Sequence, residues 1–430
     1  MTNTHKVVII GGGFGGMYAA LSLRKTPVDV TLIDRRNFHL FQPLLYQVAT
    51  GALSPADIAV PLRGVLKRQK RTKVVLGEAI DVDTEKRRVI MSDGEIDYDT
   101  LVVATGAGNH YFGNDHWEEM APGLKTIEEA TDIRRRILLA FETAERAETP
   151  EMVREWLNFV VVGGGATGVE LAGALGEISR DTLRHDFRNI NPADARILLI
   201  ESNERILMAY PPPLSAKARQ TLEKLDVTVR TKSIVSEVQS DYVVIRSNGI
   251  DEKIPTHTVL WAAGIKASPL GKIIAEKTGA KTDRAGRIEV APDLTVPGHP
   301  EIMIIGDLSS FTHQNDKPLP GLAPVAMQQG RYAALTIQAR LKGKVLKPFR
   351  YHDYGSMATI GKKNAVADIG PLHFAGFPGW IAWLFIHLMY IVEFENRVLV
   401  IIQWAWNYFT GNRAARLITG ESPFPLTKKK

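Results

Sequence analysis

Short, continuous apolar runs that end on glycine or an acid recur along the chain, the pattern of strands buried on both faces of a parallel sheet. The first such run is Lys6–Ile10, followed by Gly11-Gly12-Gly13-Phe14-Gly15-Gly16, a helical stretch over 17–25, and a second run over 28–33 that stops at Asp34. The order repeats about 150 residues later. A strand over 159–162 leads into Gly163-Gly164-Gly165-Ala166-Thr167-Gly168, a helix over 169–178 and a strand over 197–200 that stops at Glu201. Residues 179–195 read as an extension of the intervening helix and loop. Further runs over 101–103, 258–263 and 302–305 lead into Thr105-Gly106, Gly264 and Gly306-Asp307, and a charged helical segment covers 128–154.

Each glycine turn has the physical parts of a dinucleotide site. Gly11 permits the tight turn, Gly13 lets backbone approach a pyrophosphate, and Gly16 allows helix to pack closely on strand. A pyrophosphate then meets the free N–H groups and positive end of the helix. Asp34 follows at close to the expected separation of about 20 residues and suits a ribose hydroxyl. Gly163, Gly165 and Gly168 repeat the arrangement, with Glu201 as the acid. A carboxylate there favours NADH, because the extra phosphate of NADPH would be repelled, a preference that nearby Arg205 weakens. Glu170 sits in the first turn of the second helix, where it either complements the helix dipole or faces a bound nicotinamide.

The last run, over 302–305, reads as a return of the chain to the first sheet. The expected fold is therefore α/β, with two Rossmann-like dinucleotide-binding domains, the first discontinuous, and a C-terminal membrane-associating helical region. The expected boundaries are 1–125 and 283–345 for the first domain, 155–282 for the second and 346–430 for the C-terminal region.

That C-terminal region has a different character. Residues 377–392 carry no charge, and a second apolar stretch covers 398–409. Each is shorter than the roughly 20 residues of a spanning helix. Four of the seven tryptophans fall here, Trp380, Trp383, Trp404 and Trp406, and tryptophan favours the lipid–water boundary. Arg413, Arg416 and Lys428-Lys429-Lys430 follow, suited to anionic head groups. The expected partner is a membrane lipid surface; a homodimer interface or buried core helices would use the same residues.

Composition narrows the chemistry. The chain has 430 residues and no cysteine, which excludes disulfides, thiolate-held metal and any dithiol relay. The formal charge of +6 is too diffuse to suggest nucleic acid. The histidines show no metal-ligand spacing, so no metal is expected. The few polar residues before the first strand give no export or transit signal, and the expected location is the cytoplasmic face of a bacterial inner membrane.

Taken together, these motifs resemble the type II NADH dehydrogenases, single-chain FAD-dependent NADH:quinone oxidoreductases. The resemblance is carried by 41–49 (Phe-Gln-Pro-Leu-Leu-Tyr-Gln-Val-Ala), Gly163–Glu170 with Leu171-Ala172-Gly173, Trp261-Ala262-Ala263-Gly264, Gly306-Asp307, 323–330, Gly361-Lys362 and the aromatic C-terminus. It implies two-electron reduction of a membrane quinone by NADH, without proton pumping. It also implies that Gly11–Gly16 and Asp34 hold the ADP half of FAD, with Thr105 and Gly106 beside them. Asp307 is implied on the ribityl chain and Leu45 against the isoalloxazine. Glu170 is implied near the nicotinamide, Glu201 on its adenosine ribose, and Gln328 and Lys362 at the quinone end of the flavin. One departure stands out: the family pattern Ala-Gln-x-x-x-Gln is here Ala323-Pro324-Val325-Ala326-Met327-Gln328. Two rivals stay open: a soluble NADH:acceptor flavoenzyme, and an NADH-sensing flavoprotein that acts through a binding partner.

Overall fold

The computed structural model describes residues 4–420, which fall into two compact units. The first comprises residues up to 40 together with 59–108 and 265–353; the second comprises 41–58, 109–264 and 354 onward.

The first unit is built on a six-stranded sheet in the order Thr295–Val296, His299–Ile304, Thr100–Val103, Lys6–Ile10, Asp29–Asp34 and Thr72–Leu76. All neighbours are parallel except the first pair. Val8 sits opposite Thr31 on one side and Leu101 on the other, and Leu101 in turn opposite Ile302. The strand after residue 298 thus does return to the first sheet. Val7, Val8, Ile9, Leu101, Val102 and Val103 are fully or almost fully buried, which explains why these runs are apolar throughout instead of alternating. The Ala323–Arg340 helix packs on the Phe14–Ser22 helix through Gly330, where a side chain would run into the Gly15 carbonyl.

The second unit holds a four-stranded parallel sheet in the order Val227–Arg230, Arg196–Ile200, Asn158–Val162, Thr258–Trp261. Its core joins Val160, Val162, Leu198, Ile200 and Trp261. The charged segment expected as one helix is two, Ile127–Glu145 and Pro150–Trp156. A capping box between Thr126 and Glu129 starts the first, and Thr149 with Pro150 at the first helical position starts the second. The extension expected over 179–195 is not helical beyond a π-turn, Ile178–Thr182, and a short 3-10 turn, Pro192–Asp194. The Glu145 carboxylate holds the intervening loop by accepting the backbone N–H groups of Arg188, Asn189 and Ile190.

Residues after 353 form an antiparallel three-stranded sheet, Ser356–Thr359, Ala365–Ile369 and Leu372–Gly376, and then two helices, Phe377–Tyr390 and Phe394–Thr410. Among the described residues no helix is long and apolar enough to cross a membrane. Lys428, Lys429 and Lys430 lie outside the described residues.

Candidate active site

In the first unit the glycine turn joins the end of the Lys6–Ile10 strand to the Phe14–Ser22 helix. Gly11 has φ +102°, and a side chain there would strike the Ala104 carbonyl; one on Gly16 would strike the Gly11 carbonyl. Only glycine satisfies both demands. Gly13 faces open space, as does Gly106. The Asp34 carboxylate accepts the N–H groups of Gly12 (2.6 Å) and Arg36 (2.7 Å), which fixes it at the end of its strand. Thr105 Oγ1 is buried without a hydrogen-bond partner, as is His39 Nε2, whose ring holds the Gly12 carbonyl through Nδ1. Burial pushes His39 down to about 4, so it is neutral and exerts no charge on the turn.

Asp307 lies in the 3-10 turn Gly306–Leu308, against Gly321. That turn is held by Gln329, a residue the sequence reading passed over: its Oε1 accepts from the Gly306 N–H (2.6 Å) and Ser309 Oγ (3.2 Å). Gln328, the glutamine singled out, is clamped on the backbone of His352, donating to its carbonyl (2.8 Å) and accepting its N–H (3.0 Å). Pro324 occupies the first turn of the Ala323–Arg340 helix, where its missing N–H leaves no bond unmade.

The second unit repeats the turn. Gly163 has φ +109° with the Ala262 carbonyl 2.7 Å from where a side chain would begin, and Gly168 abuts the Gly163 carbonyl. Gly165 faces open space. Glu201 accepts the Gly164 N–H (2.7 Å), the Asn203 N–H (2.8 Å) and the Asn203 amide (2.6 Å). Arg205 points elsewhere, donating to the carbonyls of Leu207, Met208 and Tyr210. Its role is to shape its own loop.

The Ala166–Glu177 helix that follows carries two buried acids two turns apart on one face, Glu170 and Glu177. Burial drives Glu170 up to about 8, opposed only by the Thr359 N–H at 3.3 Å. Glu177 is also pushed up by burial, against the pull of Arg413 (2.9 Å) and the Lys362 N–H. Leu45 is buried at the start of the Leu45–Ala49 helix, which packs against the Ala166–Glu177 helix. Lys362 Nζ pairs with Asp181 at 2.8 Å.

Glu177, Lys362 and Arg413 converge on a cleft of about 700 Å³, counting its open mouth, within the second unit. Tyr46, Gln47, Glu177, Thr359, Lys362 and Arg413 line it, and Trp380, Trp383, Trp404 and Tyr408 add aromatic surface. Two polar atoms on its lining residues are buried and have no partner among the described residues, the donor Trp383 Nε1 and the acceptor Asn407 Oδ1. The cleft joins residues from five separate stretches of chain, so although its tryptophans, Lys362, Arg413 and the 41–49 segment each stood out in the sequence, their convergence did not. Glu177 had one signal, its two-turn spacing from Glu170.

Of the two arginines expected to face lipid head groups, Arg413 is turned inward and Arg416 is held in a partly exposed ion pair. Arg413 is buried against Glu177 and the Thr50 carbonyl, and Arg416 pairs with Asp186. The exposed faces of the two C-terminal helices are apolar instead. Phe377, Ile381, Phe385 and Met389 recur every fourth residue on one, and Val398, Ile402, Trp406 and Phe409 follow on the other, with Phe385 62% and Phe409 82% exposed.

Comparison with known proteins gives a consistent result. Residues 5–330 match the pyridine nucleotide-disulphide oxidoreductase family and residues 354–413 the NDH2 C-terminal domain. The type II NADH:quinone oxidoreductase Ndh of Mycobacterium tuberculosis is 41% identical, over 99% of this chain and 92% of that protein. NdhA from the same organism is 44% identical, over 97% and 90%. Among solved structures, NDH2 from Plasmodium falciparum in complex with NADH superposes with a TM-score of 0.87, covering 99% of this chain and all of that one at 21% identity, which speaks to the fold.

Proposed function

The chain belongs to the type II NADH:quinone oxidoreductase family, and from that premise we propose how its residues divide the work of oxidising NADH and reducing a quinone. The reaction uses FAD, and with no cysteine in the chain a dithiol relay has no part in it.

The first unit fits FAD. The open backbone at Gly13 and Gly106, the fixed Asp34 carboxylate and the orphaned Thr105 hydroxyl form a cradle with an unmet hydrogen-bonding need. In this reading Gly11–Gly16 and Asp34 hold the adenosine diphosphate end, and Asp307 the ribityl chain. When bound, FAD would supply the two-electron redox chemistry that links NADH oxidation to reduction of the quinone, with two protons completing the hydroquinone. Gly163, Gly165 and Gly168 bind the NADH pyrophosphate. Glu201 reads the ribose, and Arg205, committed to carbonyls, does not offset the repulsion of a 2′-phosphate.

The cleft in the second unit receives the quinone. One observation carries this reading: an aromatic cavity whose lining leaves one buried donor, Trp383 Nε1, and one buried acceptor, Asn407 Oδ1, without partners. Buried polar atoms left unpaired cost about 1–3 kcal/mol each; a quinone carbonyl can accept from Trp383 Nε1, and the O–H of the hydroquinone product can donate to Asn407 Oδ1. Glu170, held protonated over much of the neutral range, is placed to exchange a proton near this chemistry. Ala174→Leu, which adds bulk to the lining, is expected to raise the KM for quinone roughly tenfold or more and leave the KM for NADH close to unchanged. Equal changes in both would count against the cleft.

The apolar faces of the C-terminal helices support docking on a lipid surface, which is where a lipophilic quinone resides. NADH does not cross membranes, so the docked face is the cytoplasmic one.

A further inference from the structure

Four side chains on the wall of the cleft form a hydrogen-bonded line, and its direction can be read from chemistry alone. The Trp404 indole N–H, a donor with no acceptor lone pair, lies 2.7 Å from Gln47 Oε1. That fixes which end of the carboxamide is oxygen, an assignment otherwise ambiguous for glutamine. The opposite end is then the NH2 group, which donates to the Tyr46 hydroxyl at 2.9 Å. The Tyr46 oxygen is in turn 2.8 Å from Thr359 Oγ1.

Tyr46 and Thr359 bring two hydroxyl hydrogens to this pair, and only one can lie between the two oxygens. Whichever way that bond points, the other hydrogen is left over. The hydrogen bonds described for the two oxygens are those to each other and from Gln47, so the remaining O–H has no acceptor among the described residues. Both side chains are buried, Tyr46 at 7% and Thr359 at 3% exposure, and both line the cleft. A buried donor without a partner is costly, and a ligand acceptor removes the cost.

We infer that the Tyr46–Thr359 pair is a hydrogen-bond donor for a carbonyl oxygen of the quinone, and that Trp404 keeps that donor available by holding Gln47 in one orientation. The inference rests on the cleft being the quinone site. It makes Trp404 a positioning residue. Without its N–H, Gln47 can turn over and accept the Tyr46 hydrogen; Thr359 then donates to Tyr46, and the pair has no donor left for the ligand. It also makes the two hydroxyls stand-ins for one another, because either alone still has a hydrogen to give.

The test measures the affinity of the FAD-loaded protein for menadione and for methylnaphthalene, the same ring system without carbonyls, by quenching of tryptophan fluorescence. The ratio of the two affinities reports the carbonyl hydrogen bond and is insensitive to a general loosening of the cleft. The wild type is expected to prefer menadione by at least tenfold, about the size of one net hydrogen bond for each donor that the carbonyls meet. Trp404→Phe and the double variant Tyr46→Phe/Thr359→Val are each expected to lower the ratio about tenfold, leaving what the Trp383 N–H contributes, and Thr359→Ser to keep it. A wild-type ratio retained in either of the first two overturns the inference, provided the bound-FAD spectrum shows them folded. Ala174→Leu separates this from the underlying reading. If it weakens menadione binding while the ratios stay wild-type, the donor pair alone is wrong. If menadione binds as before, the cleft is not the quinone site.

Discussion

Glu170 binds its proton more tightly in the folded protein than in the unfolded chain, because burial drives its pKa from 4.5 to about 8. Folding therefore takes up a proton between those values, and the stability that protonated Glu170 allows is lost as pH rises through the window. Glu170→Gln removes the titration. The variant is expected to gain stability over the wild type on going from about pH 5 to about pH 9, by on the order of a few kcal/mol in urea denaturation. A stability difference that is the same at both pH values would contradict the assignment. The inflection near pH 8 expected in the pH profile of quinone reduction should vanish in the same variant. At this scale the sequence was informative where chemistry is local. The glycines, Asp34 and Glu201 are legible because a tight turn and a strand end are set by neighbours a few residues away. Gln328 and Arg205 were not, since nothing local shows that one is spent on His352 and the other on the carbonyls of 207, 208 and 210.

Between elements, the Glu177–Arg413 pair ties the end of the Ala166–Glu177 helix to the segment after the Phe394–Thr410 helix, both side chains being about 10% exposed. Burial pushes Glu177 up and Arg413 down, so desolvation works against the attraction between them. A pair of this kind adds little net stability, yet losing one member strands a charge. Arg413→Met is expected to cost about 3–5 kcal/mol, and the double variant Glu177→Leu/Arg413→Met to recover most of it. Chemical denaturation of the FAD-loaded protein checks both, and a double variant as unstable as the single would refute the pairing. The apolar helix faces act at the same scale. Phe385→Asp with Ile402→Asp is expected to weaken flotation with anionic lipid vesicles by at least tenfold, since each side chain forfeits roughly 1.5–3 kcal/mol of burial. Unchanged flotation, with self-association lost instead, would assign these faces to a second copy of the chain. The helices themselves were predictable from uncharged runs of fitting length. The inward turn of Arg413 was not, because a cation at a helix end looks the same in sequence whether it meets a phosphate or a buried glutamate.

For the molecule as a whole, the sequence carried the two parallel sheets, the discontinuous first one included, because strands buried on both faces leave continuous apolar runs. It did not carry the cleft. Tyr46, Glu177, Thr359, Trp404 and Arg413 are up to several hundred residues apart, and nothing local in any of them shows that they share one cavity. The division of labour we propose gives FAD to the first unit, and NADH and the quinone to the second. Its central claim is that the electrons of NADH leave on a quinone. Steady-state NADH oxidation by the purified, FAD-loaded protein measures this most directly, with and without added quinone under air and under argon. The account predicts turnover that rises at least a hundredfold with quinone and is indifferent to oxygen, about 3 kcal/mol of preference for that acceptor. A rate set by oxygen, and unmoved by any quinone, would contradict it.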